Sequence, residues 1–183
     1  MNAPACAITP SGADTLARVR AALEALTDPE IPVVTLAEMG ILRDVRRAVD
    51  DPAQVEVVIT PTYSGCPAMA QIADDIHATL QRLGVPGRVV TQLAPAWTTD
   101  WMTAAARDKL RAYGIAPPGR CGTEAAAPGE RIVRFVPRTP EPIACPRCGS
   151  SNTREVSHFG STACKALWQC LDCCEPFDHF KPH

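Results

Sequence analysis

Cys145-Pro146-Arg147-Cys148 and Cys170-Leu171-Asp172-Cys173 are two Cys-x2-Cys knuckles separated by 21 residues, and nothing else in the 183-residue chain constrains its fold as tightly. Each knuckle sets two thiolates on one side of a tight loop. Two of them at this spacing build the tetrahedral site of a zinc ribbon, with Zn–S near ~2.3 Å. A segment of ~40 residues rarely builds a sufficient core without a metal or disulfides, so unliganded cysteines are the weaker alternative. Gly149, directly after the first knuckle, suits the positive-φ turn that lets backbone amides reach the sulfurs. Cys164 and Cys174 are surplus to four ligands, and Cys174 is expected to be a spare beside Cys173. For Cys164 two readings stand level: a thiol activated by the adjacent Lys165, or an inert core or surface thiol.

The charge balance excludes one class of function. The chain has 18 Lys+Arg against 20 Asp+Glu, a net charge of −2. From Pro140 to His183 the basic residues are Arg147, Arg154, Lys165 and Lys181, outnumbered by five acidic ones. No basic stripe is present to neutralise phosphates, so no nucleic-acid partner is expected. Trp168, Phe177 and Phe180 are expected as the ribbon's core, and His158, His179 and His183 on its surface or just outside the metal site. No membrane partner is expected either. The longest uncharged run, Val57 to Ala73, contains Pro61, Gly65 and Pro67 and cannot span a bilayer as a helix. Met1 to Ala13 has no basic residue and no continuous apolar block, which argues against a secretory signal. The expectation is a soluble, cytoplasmic protein with reduced thiols.

Upstream of the knuckles the pattern changes. Leu16, Val19, Leu23 and Leu26 recur at helical spacing and predict a first helix over Ala13–Leu26, capped by Ser11 or Asp14. Asp28-Pro29-Glu30-Ile31-Pro32 cannot continue it, because each proline lacks an N–H and biases its predecessor towards extended backbone. Ile41–Val49 and Gln54–Thr60 read as two strands joined by the turn Asp50-Asp51-Pro52-Ala53. Met69, Ile72, Ile76, Leu80 and Leu83 share one face of a second helix, with Pro67 in its first turn and Gly84 at its end. Arg88–Leu93 predicts a third strand and Asp100–Tyr113 a third helix. The order αββαβα gives an α+β class: a small three-stranded sheet with packed helices, followed by the C-terminal zinc ribbon. The expected domains are 13–115, an Ala/Pro/Gly-rich linker over 116–129, and a ribbon domain over 130–183 in which Arg131–Val136 is one more strand.

Cys66 stands alone after the loop Pro61-Thr62-Tyr63-Ser64-Gly65 and before Pro67. A helix start lowers a thiol pKa, so Cys66 is a candidate nucleophile or ligand for a soft metal, weighed against a buried cap residue. No neighbouring base completes a cysteine-hydrolase arrangement, since His77 lies about three turns along the same helix.

Two blocks, Asp28-Pro29-Glu30-Ile31-Pro32-Val33-Val34 with Glu38-Met39-Gly40-Ile41, and Thr60-Pro61-Thr62-Tyr63-Ser64-Gly65-Cys66-Pro67, resemble the iron–sulfur cluster assembly family that includes SufT and its eukaryotic cytosolic counterparts. This resemblance covers about Ala13 to Tyr113. With Phe159-Gly160-Ser161-Thr162-Ala163-Cys164-Lys165 and the ending Cys173-Cys174-Glu175-Pro176-Phe177-Asp178-His179-Phe180-Lys181, the whole chain resembles the PaaD family, accessory components of bacterial phenylacetyl-CoA epoxidase systems. The resemblance implies that Cys66 is the reactive or cluster-binding thiol and that Asp28, Glu30, Glu38 and Thr62 belong to the signature loops around it. Glu38 departs from the family pattern, which has Asp before the Met-Gly pair.

The resemblance implies a non-catalytic accessory or maturation factor of phenylacetate catabolism. Cys66 would assist insertion of an Fe–S cluster or iron, carried transiently, into the reductase or oxygenase component, while Cys145, Cys148, Cys170 and Cys173 hold Zn2+. Cys66 alone cannot hold a cluster. A second thiolate would come from a homodimer mate, from Cys164 as an extra ligand, or from the client. The alternatives are an adaptor, in which the ribbon only bridges the components of the complex, and an enzyme using Cys66 as nucleophile, which lacks a visible base.

Overall fold

The computed structural model describes residues 12–119 and 142–182. Ser11 as a cap, the strand expected over Arg131–Val136, most of the 116–129 linker, Cys6, Cys121 and His183 lie outside them. The described residues divide into two compact units. One runs to Pro61 and resumes over Pro67–Pro95; the other comprises Thr62–Cys66 and the chain from Ala96 onward. Among the described residues no helix is long and apolar enough to cross a membrane.

In the first unit, α1 (Gly12–Glu24) buries Val19 and Leu23 completely, the inner face of the predicted stripe. β1 (Leu42–Arg47) pairs antiparallel with β2 (Val55–Ile59), and β3 (Gly87–Thr91) runs parallel to β2 on its other side. A parallel neighbour requires a crossover, and α2 (Ala68–Arg82) supplies it, burying Ile72, Ile76 and Leu80. Gly84 ends α2 at φ 66°, with its N–H on Gln81 O and that of Val85 on Leu80 O, the paired bonds of a Schellman motif. Gly87 is required for packing: a Cβ there would lie 2.6 Å from the Val55 carbonyl oxygen.

All five residues of the central strand β2 are buried, Glu56 included. Its carboxylate lies between the flanking strands' guanidiniums, 2.6 Å from Arg46 and 2.9 Å from Arg88, and Arg88 also reaches Asp50 at 2.6 Å. Arg46 first, then Arg88, hold the Glu56 carboxyl below the usual range. A buried carboxylate is tolerated when it is paired in this way.

In the second unit a 3-10 turn, Thr99–Trp101, precedes α3 (Ala104–Tyr113). The helix predicted from Asp100 begins four residues later. Thr103 takes extended backbone and accepts the Ala106 N–H on its hydroxyl at 3.1 Å, so it is the N-cap. β4 (Ile115–Ala116) follows and pairs parallel with β7 (Pro176–Phe180), which pairs with β6 (Lys165–Cys170), itself paired with β5 (Thr153–Ser157). The sheet order is β4-β7-β6-β5. The boundary expected at 115–116 therefore falls inside a strand of the ribbon's sheet. Arg107 fastens α3 to its surroundings through Thr99 O at 2.6 Å and Pro118 O at 2.7 Å, and Trp97 packs on Phe180 with ring centroids 6.0 Å apart.

Candidate functional site

The structure brings Cys145, Cys148, Cys170 and Cys173 together, every Sγ within 4.8 Å of the others. Cys145 and Cys173 are 3.8 Å apart and Cys148 and Cys170 3.6 Å. A tetrahedral tetrathiolate with metal–sulfur bonds of ~2.3 Å has S···S edges of about 3.8 Å, so the donor set fits such an ion. The knuckle preceding β5 closes through Gly149 N–H on Cys145 O and Cys145 N–H on Ser150 O, both 2.9 Å, with Gly149 at φ 76°. The second lies between β6 and β7, with Cys170 N–H on Glu175 O at 2.9 Å and Cys173 N–H on Cys170 Sγ at 3.5 Å. Asp172 braces one knuckle against the other through the Asn152 amide at 2.7 Å and the Ser150 hydroxyl.

The thiols are unequal. The backbone N–H of Cys173 leads in holding the Cys170 thiol down to about 7. The Glu175 N–H pulls the Cys173 thiol down, but burial and the thiols of Cys148, Cys170 and Cys145 together push it up to about 12. Four thiolates this close need a cation to ionise together, which is the service a bound metal supplies. Behind the sulfurs, Cys145 and Cys170 pack with Ala116 and Phe177, and Trp168 leans on the cluster.

Cys164 does not belong to the four-thiol group. It is buried, with its sulfur 3.0 Å from the Thr162 hydroxyl. Lys165 does not lie free beside it: the ammonium is buried and pairs with Asp178 at 3.4 Å. Gly160 permits that approach, since a Cβ there would lie 2.8 Å from the Asp178 carboxylate. His158 is exposed, one of the two places expected for it, whereas His179 is not on the surface. Strand alternation in β7 turns it inward, 6% exposed, edge-on to Trp168, with its Nε2 unpartnered.

Cys66 is half-buried, its N–H on Tyr63 O at 3.2 Å. Pro67 is the N-cap of α2 rather than its first helical residue, and it offers no side-chain cap. Thr62 is buried and Glu30 half-buried. The carboxylates of the signature segment have local work. Asp28 is buried and accepts the N–H groups of Glu30 at 2.8 Å and Ile31 at 2.9 Å. Glu38 accepts the Thr35 N–H at 2.9 Å while the Thr35 hydroxyl accepts the Glu38 N–H at 3.1 Å, a reciprocal capping box. The Thr-x-x-Glu spacing was available in the sequence as the signal for that role. Gly40 at φ 73° closes the turn, with the Ile41 N–H on Leu36 O.

Residues 16–93 match the family model of iron–sulfur cluster assembly proteins, and residues 132–181 that of the PaaD zinc beta ribbon domain. An Escherichia coli K12 protein described as the D component of 1,2-phenylacetyl-CoA epoxidase is 45% identical over 162 residues, 88% of this chain and 89% of that one. The chain belongs to the PaaD family. In this family member, Cys66 falls inside the segment matching the assembly proteins and the four-thiol centre inside the ribbon segment. Among solved structures, a domain of unknown function from Bacillus anthracis is 26% identical with a TM-score of 0.46, covering 52% of this chain and 91% of that one. A conserved hypothetical protein from Thermotoga maritima, also 26% identical, has a TM-score of 0.42 and covers 50% and 89%.

Proposed function

We propose that this protein is a non-catalytic maturation factor of a phenylacetyl-CoA epoxidase system, which assists insertion of an Fe–S cluster or iron into the reductase or oxygenase component. The observation that carries the reading is the place of Cys66: a half-buried thiol directly before Pro67, the N-cap of α2, which offers no side-chain cap, within a segment matching iron–sulfur assembly proteins. The N–H groups and dipole of a helix start favour negative charge, and the thiolate is the form that ligates iron. The cargo is received as substrate and passed on, with its remaining thiolates supplied by a client, a second copy or Cys164. The four-thiol centre holds zinc as a structural ion. Zn2+ is redox-inert and satisfied by four thiolates, which suits a centre that braces a ribbon.

The test is Cys66→Ser in cells that depend on the epoxidase, with iron and sulfide measured on anaerobically purified protein. The expected result is loss of epoxidation and of the cargo, with about one zinc per chain retained. Full activity in that variant overturns the proposal. The adaptor reading, in which the ribbon only bridges the components of the complex, draws support from Asp28 and Glu38, whose carboxylates hold backbone N–H groups and shape loops. It requires zinc alone on the purified protein and an epoxidase complex that falls apart without the chain.

A further inference from the structure

The loop that carries Cys66 does not pack where connectivity alone would leave it. The chain joins it to β2 on one side and α2 on the other, both elements of the first unit. Thr62–Cys66 nevertheless packs as part of the second unit, with the chain from Ala96 onward. The loop has little order of its own to rely on: the Cys66 N–H on Tyr63 O closes a single turn at 3.2 Å, and Ser64 and Gly65 are exposed. The unit it belongs to is built around the four-thiol centre. Cys145 and Cys170 are core residues there, with Ala116, Phe177 and Trp168. β7 carries that order away from the sulfurs: it pairs with β4 and β6, and at its far end Phe180 lies in register with Lys165 and packs on Trp97. A core this small, with two of its ligand sulfurs inside it, depends on the ion for its folding free energy.

We infer that the four-thiol centre and Cys66 are coupled: the metal-loaded ribbon unit is the platform that holds the Thr62–Cys66 loop, and loss of the ion frees the Cys66 thiol while the first unit stays folded. Elements that share a cooperative unit lose their protection together, whereas elements of another unit keep theirs. Cys66 stands at the junction, with its loop in one unit and the helix that follows it in the other. The ribbon thereby gains a task besides bracing itself or bridging components, since it sets how freely the Cys66 thiol is presented. The ion acts only by keeping the platform folded, and the coupling holds whether or not Cys66 carries iron.

The experiment measures Cys66 labelling by N-ethylmaleimide in the full chain, read at that residue by mass spectrometry, together with amide hydrogen exchange. Both are followed anaerobically in the zinc-loaded protein, after chelation, and after Zn2+ is restored. The expected result of chelation is Cys66 labelling faster by roughly tenfold or more, with loss of protection at the Cys66 amide and continued protection in β2 and α2. Restored zinc is expected to return the slow rate. An unchanged labelling rate and Cys66 amide while β6 and β7 lose protection overturns the inference. So does protection of β6 and β7 that survives chelation, or loss of protection in β2 and α2 in step with the ribbon, which would make the chain one cooperative body. In Cys66→Ser the amide at position 66 still reports the coupling although no thiol is left there to take cargo, so failure of the coupling and failure of the maturation reading are read separately.

Discussion

Gly149 and Cys174 occupy equivalent places, each directly after the second cysteine of a knuckle, and both take left-handed backbone, φ 76° and φ 63°. The two halves of the centre therefore turn alike, one with a residue free of Cβ cost and one without. A non-glycine residue in this region costs roughly 1–2 kcal/mol. Nothing lies within 4 Å of a Cβ placed on Gly149, so the conformation alone sets its cost. Cys174→Gly is expected to stabilise the metal-loaded protein by about 1 kcal/mol in urea unfolding and Gly149→Ala to destabilise it by a similar amount. Metal content should not change in Cys174→Gly; loss of the ion would make Cys174 a ligand.

Asp28 is a loop builder by geometry, since one carboxylate oxygen receives two backbone N–H groups, that of Ile31 being buried. Asp28→Asn keeps an acceptor and is expected to remain folded. Asp28→Ala leaves a buried donor unpartnered and is expected to cost about 1–3 kcal/mol. Thermal unfolding of the two variants measures the difference, and an equal loss in both would assign the stabilisation to charge.

The Thr35–Glu38 box makes a parallel prediction. Thr35→Ala removes the hydroxyl that accepts the Glu38 N–H and is expected to destabilise by about 1 kcal/mol, as caps do. Glu38→Gln, which still accepts from Thr35, is expected to lose less than Glu38→Ala in the same denaturant titration. If Glu38→Gln instead abolishes epoxidation while stability holds, the carboxylate acts on cargo as well as on the turn.

Burial holds the His179 imidazole at about 4, down from 6.5, with Glu155 pulling weakly upward. The folded state thus keeps His179 neutral where the unfolded chain already binds a proton. Its contribution to stability is complete above pH 6.5 and is lost as the pH falls towards 4. His179→Phe, compared with the parent at equal metal loading, is expected to flatten the stability–pH slope in that window. An unchanged slope would place the acid sensitivity in the thiolates.

Metal removal should act on one sheet and spare the other. Cys145 and Cys170 are ligand candidates and core residues at once, packed with Phe177 and Trp168. Chelation at neutral pH is expected to abolish hydrogen-exchange protection in β5, β6 and β7 while β1, β2 and β3 keep theirs. Protection that persists in β6 after the metal is gone would mean that the ribbon's core stands on its own.

Much of this protein was legible locally. The Cys-x2-Cys spacing, the stripe that becomes the buried face of α2, and the Gly84 stop each express a rule that operates over a few residues, and the chain obeys them. Identifying the iron–sulfur-assembly segment needed only the blocks around Asp28 and Cys66. What the tertiary structure decided are pairings between distant residues. Ile115–Ala116 is a strand because β7 offers it an open edge, a partner about 60 residues away that no local pattern announces. His179 is buried because β7 lies against Trp168, and the Lys165 ammonium finds its partner in Asp178, a residue 13 positions away. Asp28 looks like a site carboxylate in sequence, and only the closed turn shows that its oxygen receives two backbone N–H groups, whereas Glu38's capping role was legible in the Thr-x-x-Glu spacing. Periodicity and turn chemistry are properties of neighbouring residues, whereas burial and partner choice depend on which surfaces meet when the chain closes on itself.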